Sequence, residues 1–176
     1  EAFTEKDNVE LWMVNHNPFL KDEQIYQWHK LYKESKLGDK IQIFPRLETH
    51  TQLASLMDKC NCGIYLSRGE GWNNEAVETM ALNKPLIITN YSAHTEYVNP
   101  SNSYLVDITE TEPANDGIWF HGQGNWAKLG FPQIEQTIEH MRYVYKNNIR
   151  DNPKGLETAQ KYTWQNTTDE IWKYLT

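Results

Sequence analysis

Two carboxylates, Glu70 and Glu78, bracket the run Gly69-Glu70-Gly71-Trp72-Asn73-Asn74-Glu75-Ala76-Val77-Glu78-Thr79-Met80-Ala81. A pair of acids can cleave a glycosidic bond, but both carboxyls must then face that one bond, and this spacing is no sign of such a pair. Hydrogen bonding to hydroxyls suits the arrangement better. The apolar Gly63-Ile64-Tyr65-Leu66 ahead of the run reads as a buried strand, and Ala76 to Leu82 reads as a helix. Strand, glycine loop and helix N-terminus aim unsatisfied backbone N–H groups and a positive helix end at one point. A phosphate fits there. One acid ahead of the amides and one inside the helix then accept hydrogen bonds from hydroxyls on either side of a diphosphate. Sugar hydroxyls, two phosphates and ribose hydroxyls are the layout of a nucleotide sugar.

The elements that must hold this loop alternate along the chain. Val9 to Val14 is a strand candidate, and Asn15-His16-Asn17-Pro18 a loop. Ile25, Trp28, Leu31 and Tyr32 fall at helical spacing within Asp22 to Ser35, which Gly38-Asp39 stops. Ile41 to Phe44 is a short strand ended by Pro45, and Thr51 to Asp58 a helix with Leu53, Leu56 and Met57 on one face. Asn83 is suited to a left-handed helix stop after the site helix, and Pro85 prevents continuation. Pro85 to Thr89 lacks alternation and reads as a strand buried on both faces. Tyr104 to Val106 is a further short strand, Thr109 to Gly130 a long polar loop, and Pro132–Lys146, Pro153–Lys161 and Trp164–Leu175 are helices. Strands alternating with helices predict an α/β fold, a Rossmann-like parallel sheet with helices on both faces, followed by C-terminal helices. Ligands in such sheets bind at the carboxyl ends of strands, where the Glu70–Glu78 loop lies.

The 176 residues make one domain of ordinary size, and 17 basic against 24 acidic residues give a net charge of −7. That balance argues against a nucleic-acid partner, which needs a basic stripe. No apolar run approaches a membrane span and no signal-peptide core opens the chain, so the expected location is cytoplasmic. Cys60 and Cys62, two apart on a strand approach, point to opposite faces and make poor disulfide partners. The six histidines are scattered and none forms H-E-x-x-H, so no metal is expected. G-x-G-x-x-G after the first strand would mark a dehydrogenase, and Asn15-His16-Asn17-Pro18 is unlike it.

With those residues in view, the chain resembles the C-terminal, donor-binding domain of a family 4 retaining glycosyltransferase, one half of a GT-B fold. The likeness rests on Leu66 to Trp72, then Glu78-Thr79-Met80-Ala81, then Lys84 to Thr89, in the order of the family's E-x₇-E, "E-A-M-A" and "G-K-P" segments. Glu96-Tyr97-Val98 resembles the acidic loop that follows, and Tyr162-Thr163-Trp164-Gln165-Asn166-Thr167 the segment ahead of the last helix.

The resemblance implies that Glu70 serves the reacting sugar by accepting hydrogen bonds from its hydroxyls. It implies that backbone amides of Gly71, Trp72, Asn73 and Asn74 face sugar and diphosphate, that Glu78 holds the ribose hydroxyls, and that the turn with Arg46 lies beside the base. Ser67, Arg68 and His16 complete the candidate set. No cofactor or metal is implied; amides, a helix dipole and basic side chains meet the leaving-group charge. Asn73 and Asn83 stand where the family often has Gly, and Asn also tolerates left-handed backbone. Asn15-His16-Asn17 replaces a loop that is commonly glycine-rich. Glu1-Ala2-Phe3 aligns with the end of the domain's first helix, so the first strand, the family's diphosphate-neutralising Arg and Lys, and the N-terminal acceptor-binding domain have no counterpart here.

The expectation is therefore a nucleotide-sugar-binding domain, residues 1–176, from a larger two-domain protein. That parent moves a sugar, of the hexosyl type, from a nucleotide-diphosphate donor to an acceptor hydroxyl with retention, and the fragment alone is inactive. The absent domain leaves peripheral membrane association open. Two alternatives stand beside it: a non-catalytic sugar- or protein-binding module on the same fold, and a nucleotide-sugar epimerase relative.

Overall fold

The computed structural model describes residues 2–15, 17 and 19–175, and the chain forms two compact units, Glu1–Leu56 and Met57–Thr176. In the first, β1 (Leu11–Met13) pairs in parallel with β2 (Ile41–Ile43), Leu11 opposite Ile41 and Met13 opposite Ile43. The crossover is α1 (Asp22–Lys33) and a 3₁₀ turn, Gly38–Lys40. A Cβ at Gly38 would lie 2.1 Å from the Lys33 carbonyl oxygen, which is why a glycine turns the chain there. Lys40 Nζ fastens the opening segment by donating to the carbonyls of Glu5 and Asp7. Ala2 and Phe3 are irregular, not the helix tail expected of that segment. The helix α2 (His50–Lys59) carries the chain into the second unit.

The second unit is built on three parallel strands in the order β3 (Gly63–Tyr65), β4 (Leu86–Asn90), β5 (Tyr104–Asp107). Gly63 faces Leu86 and Tyr65 faces Ile88, while Ile87 faces Tyr104 and Asn90 faces Asp107. The central strand β4 is fully buried from Leu86 to Thr89, which explains its lack of alternation. Over it pack α3 (Asn74–Ala81), against β3 and β4, and α4 (Phe131–Lys146), against β4 and β5. Ala76, Met80, Leu86, Ile88, Tyr97, Val98 and Ala159 form the core, at about 1.5–3 kcal/mol for each large apolar side chain buried. The alternating βα pattern thus yields parallel sheets in an α/β fold, as the sequence predicts.

Two short helices close the chain, α5 (Pro153–Ala159) and α6 (Trp164–Trp172). Asn83, at φ 58°, ends α3 left-handed, and Asn152 docks on it by donating its backbone N–H to the Asn83 carbonyl at 3.0 Å.

A second expectation is overturned. Residues 109–130 are not a structureless loop. They contain an antiparallel hairpin, β6 (Thr111–Asn115) and β7 (His121–Ala127), with a bulge between Pro113 and Asn115. Both strands are largely exposed and Pro113 breaks the pattern, so no apolar alternation announces them. The Asp116-Gly117 turn was the available clue.

Candidate functional site

Three segments leave the carboxyl ends of β3, β4 and β5, and the second unit's candidate site is made where they meet. Residues 66–73 follow β3. They end at Asn73, the N-cap of α3, whose backbone is left-handed at φ 70°. That conformation costs about 1–2 kcal/mol for a side chain other than Gly. Asn73 offsets it by capping: its Oδ1 accepts from the Ala76 N–H at 3.2 Å, and a cap of this kind is worth about 1 kcal/mol. The remaining cost is covered by a second bond, from Asn73 Nδ2–H to His94 Nε2 at 3.0 Å.

Around this reversed backbone, Gly71, Asn74 and Glu75 are exposed and Trp72 and Asn73 half-buried. Among the described residues, the backbone N–H groups of Gly71, Trp72, Asn73, Asn74 and Glu75 have no hydrogen-bond partner. Unsatisfied donors at a helix N-terminus are an anion site by their nature. Glu70, partly buried, precedes them; Glu78, also partly buried, lies within α3.

Residues 89–97 hold the 67–73 loop at nearly every second position. Thr89 Oγ1–H donates to the Ser67 carbonyl at 2.9 Å. Ser92, itself left-handed at φ 58°, donates through Oγ–H to the Glu70 carbonyl at 2.9 Å. The Tyr97 hydroxyl donates to the Trp72 carbonyl at 2.8 Å. His94 completes the set: its Nδ1–H donates to the Thr89 carbonyl at 2.9 Å, and the ring is 1% exposed. Burial holds the His94 imidazole below its ordinary pKa of 6.5, opposed by the Thr89 bond and by the Glu70 charge. Burial raises the Tyr97 phenol, and Glu70 raises it further, so the Glu70 carboxylate acts on both rings.

Below the loop, Tyr65 donates its hydroxyl to Thr79 Oγ1 at 2.9 Å, and the Thr79 hydroxyl donates to the Glu75 carbonyl at 2.8 Å. Burial pushes the Tyr65 phenol up to about 12. Burial raises the thiols of both Cys60 and Cys62, that of Cys62 to about 12, so neither is an activated nucleophile. Among the described residues, no group of three or more His, Cys, Asp or Glu is placed to hold a metal ion. No helix among them is long and apolar enough to cross a membrane.

The predicted site residues divide by unit. Glu70, Gly71, Trp72, Asn73, Asn74 and Glu78 lie together on the loop and α3, with Ser67 and Arg68 at its start. The Trp72 ring packs against the core, 5.1 Å from Tyr97 and 5.0 Å from Tyr162 between centroids. Arg68 pairs with Glu112 of the hairpin, donates Nε–H to the Ala127 carbonyl at 3.2 Å and stacks on Trp126. Lys84 pairs with Asp58 at 3.3 Å, beyond the C-terminal end of α3. Arg46 is exposed after β2 in the first unit. His16 lies outside the described residues. Sequence reading missed Ser92, His94 and Tyr97 as supports; only the match of Glu96-Tyr97-Val98 to an acidic loop pointed towards this segment.

A family model described as glycosyl transferases group 1 matches residues 2–119. Among solved structures, Anabaena HepE in complex with UDP superposes with a TM-score of 0.68 at 15% identity, over 95% of this chain and 40% of that one. Sucrose-phosphate synthase from Thermosynechococcus elongatus gives 0.66 at 18% identity, over 94% of this chain and 38% of that one. HepE in complex with UDP-glucose gives 0.62 at 16%, over 95% and 40%. At these identities the likeness is one of fold, the Rossmann-like half of a GT-B glycosyltransferase. The chain spans about 40% of the length of the solved HepE it matches. No curated protein matches it.

Proposed function

The chain belongs to the group 1 glycosyl transferases, and from that premise we propose that it is the donor-binding part of a family 4-type retaining enzyme. Its donor is a nucleotide-diphosphate sugar, hexosyl in type, and an N-terminal domain outside this chain binds the acceptor. The observation that carries the reading is the row of unpartnered N–H groups from Gly71 to Glu75, set between Glu70 and Glu78.

In this reading the amides and the positive end of α3 receive the diphosphate. Glu78 accepts from the ribose hydroxyls and Glu70 from those of the donor sugar, fixing its orientation. The bond between the anomeric carbon and the diphosphate oxygen breaks, and a bond to the acceptor oxygen forms on the same face. The released nucleoside diphosphate takes the acceptor's proton. Charge growing on the leaving group meets donors already aligned, which lowers the barrier without reorganisation. No metal is required. Arg68, at the start of the site loop, is paired with Glu112, and Lys84 lies beyond the far end of α3 and is paired with Asp58, so amides rather than these side chains carry the role. The HepE complexes with UDP and UDP-glucose favour a uridine nucleotide.

A thermal-shift panel of UDP, GDP, ADP and their sugar conjugates tests the reading on the chain and on Glu78→Ala. A ligand at a hundred times its Kd stabilises by about 2.7 kcal/mol. One nucleotide should shift the parent chain and not the variant. Equal shifts in both would remove Glu78 from the site, and no shift with any nucleotide would remove the donor reading.

A further inference from the structure

We propose that His94 is a positioning residue for the phosphate-binding end of α3, acting through Asn73 as a neutral imidazole protonated on Nδ1. The proposal rests on the donor-site reading above and adds to it a residue that touches no ligand.

The hydrogen-bond directions follow from chemistry alone. The Thr89 backbone oxygen, 2.9 Å from His94 Nδ1, can only accept, so Nδ1 carries the proton. The Thr89 hydroxyl gives its own proton to the Ser67 carbonyl, so at 3.3 Å it offers Nδ1 a second acceptor. In the neutral ring Nε2 is then an acceptor, and the group facing it at 3.0 Å must donate. Asn73 Nδ2 does so. The Ala76 N–H fixes that amide orientation independently, because it requires Asn73 Oδ1 on its side. Both ring nitrogens are thereby satisfied, in a ring 1% exposed, where an apolar side chain would fill the space without needing partners.

The result is a one-way relay, Asn73 to His94 to Thr89, from the start of α3 to the end of β4. It holds Asn73 left-handed at φ 70° and ψ 78°. That backbone sets the direction of the peptide entering α3, hence where the Asn74 and Glu75 N–H groups point. Without the brace, Asn73 relaxes toward conformations ordinary for a side-chain-bearing residue, and the donors lose their shared focus.

Glycine separates this role from simple packing, since it occupies left-handed backbone without the penalty and is a tolerable N-cap. The experiment titrates the 176-residue chain calorimetrically with UDP, GDP and ADP, then repeats the best of these on His94→Phe, Asn73→Gly and the double variant. His94→Phe should weaken binding about tenfold, and Asn73→Gly by less than about threefold. In the Asn73→Gly background the His94 change should add less than about threefold, the non-additivity expected of residues acting as one unit. An equal loss in both backgrounds, or no loss in either, overturns the proposal. Nitrogen chemical shifts of the parent chain at neutral pH give a second readout independent of folding in the variants. They should show Nδ1 protonated and Nε2 bare, and the opposite tautomer overturns the proposal. If the parent chain binds none of the three diphosphates, the donor reading falls and the positioning role with it. Binding that is unmoved by His94→Phe defeats the positioning role alone.

Discussion

The guanidinium of Arg68 lies 4.0 Å from the centroid of the Trp126 indole while its other face of charge meets Glu112. The hairpin is fastened to the site loop through this one side chain and through the Ala127 N–H, which donates to the Arg68 carbonyl at 2.7 Å. The ion pair is about two-fifths exposed on each side, so water screens it to about 0–1 kcal/mol. The stacked face is the larger contribution, at about 0.5–2 kcal/mol. The indole N–H is meanwhile buried without a hydrogen-bond partner among the described residues. Trp126→Phe keeps an aromatic face and removes that orphan donor, so it should change stability by less than about 1 kcal/mol. Trp126→Ala should cost about 2–3 kcal/mol. Chemical denaturation of the two variants separates them.

Gly63 should not tolerate a methyl group. A Cβ there would stand 2.8 Å from Thr79 Cγ2 and 2.8 Å from the Tyr65 ring. Neither neighbour can yield cheaply, because both hydroxyls are committed to the Tyr65–Thr79–Glu75 chain of bonds. Gly63→Ala should destabilise by about 1–3 kcal/mol, the usual range for overpacking. A melting temperature equal to the parent's would mean that β3 and α3 are not held as closely as this.

The β3–loop–α3 unit was legible in sequence because its cues are local: an apolar strand, glycines, and asparagines at both ends of the helix. Asn73 and Asn83 both take left-handed backbone, φ 70° and 58°, as their residue type allows. The hairpin was not legible, since its strands bury almost nothing and so carry no period. The supports of the loop were hidden for another reason. Asn73 and His94 are 21 positions apart and Ser67 and Thr89 are 22 apart, and no spacing rule connects residues that meet only through parallel strand pairing. His94 looked like one more scattered histidine until Thr89 and Asn73 closed around it.

Acid should loosen the site through His94. The groups facing the ring are Thr89 from β4, Asn73 and Glu70 from the site loop, and Tyr97, whose ring lies 6.1 Å away. Its folded pKa is depressed below the ordinary 6.5, so between the two values the unfolded chain binds more protons. Stability is then complete above pH 6.5 and declines as pH falls below it, levelling off beneath the folded value. Charging Nε2 also sets donor against donor at Asn73. The melting temperature of the parent chain should fall faster than that of His94→Phe between roughly pH 7.5 and pH 5, either side of the ordinary imidazole value. Parallel curves would contradict the buried neutral ring.

Asn152 should be among the costliest side chains to remove from the second unit. Its Oδ1 accepts from the Gly155 N–H at 2.9 Å to cap α5. Its Nδ2 donates to the carbonyls of Asn102 at 2.9 Å and Lys84 at 3.2 Å. Asn152→Ala loses the cap and orphans a buried carbonyl, for about 2–3 kcal/mol in all. Asn152→Asp keeps the cap but places a carboxylate against two carbonyls, and should be no better. Urea midpoints near the parent's for either variant would show that the knot between α3 and α5 is dispensable.

Ser92 links the fold to Glu70, the residue proposed to hold the donor sugar. Its left-handed backbone brings Oγ to the Glu70 carbonyl at 2.9 Å, and the same oxygen accepts weakly from the Glu70 N–H at 3.4 Å. Ser92→Ala removes both bonds at an exposed position, so the fold should lose only about 0.5–1.5 kcal/mol. The Glu70 peptide is then free to shift, and with it the carboxylate proposed to hold the donor sugar. In the proposed site the nucleoside diphosphate is held by the α3 amides and Glu78, and Glu70 serves the sugar alone. Ser92→Ala should therefore leave UDP affinity within about twofold while weakening UDP-glucose about fivefold, a difference of roughly 1 kcal/mol. Equal losses for the two ligands would mean that the loop moves as one piece. An unchanged preference for the sugar conjugate would place the sugar contact away from Glu70.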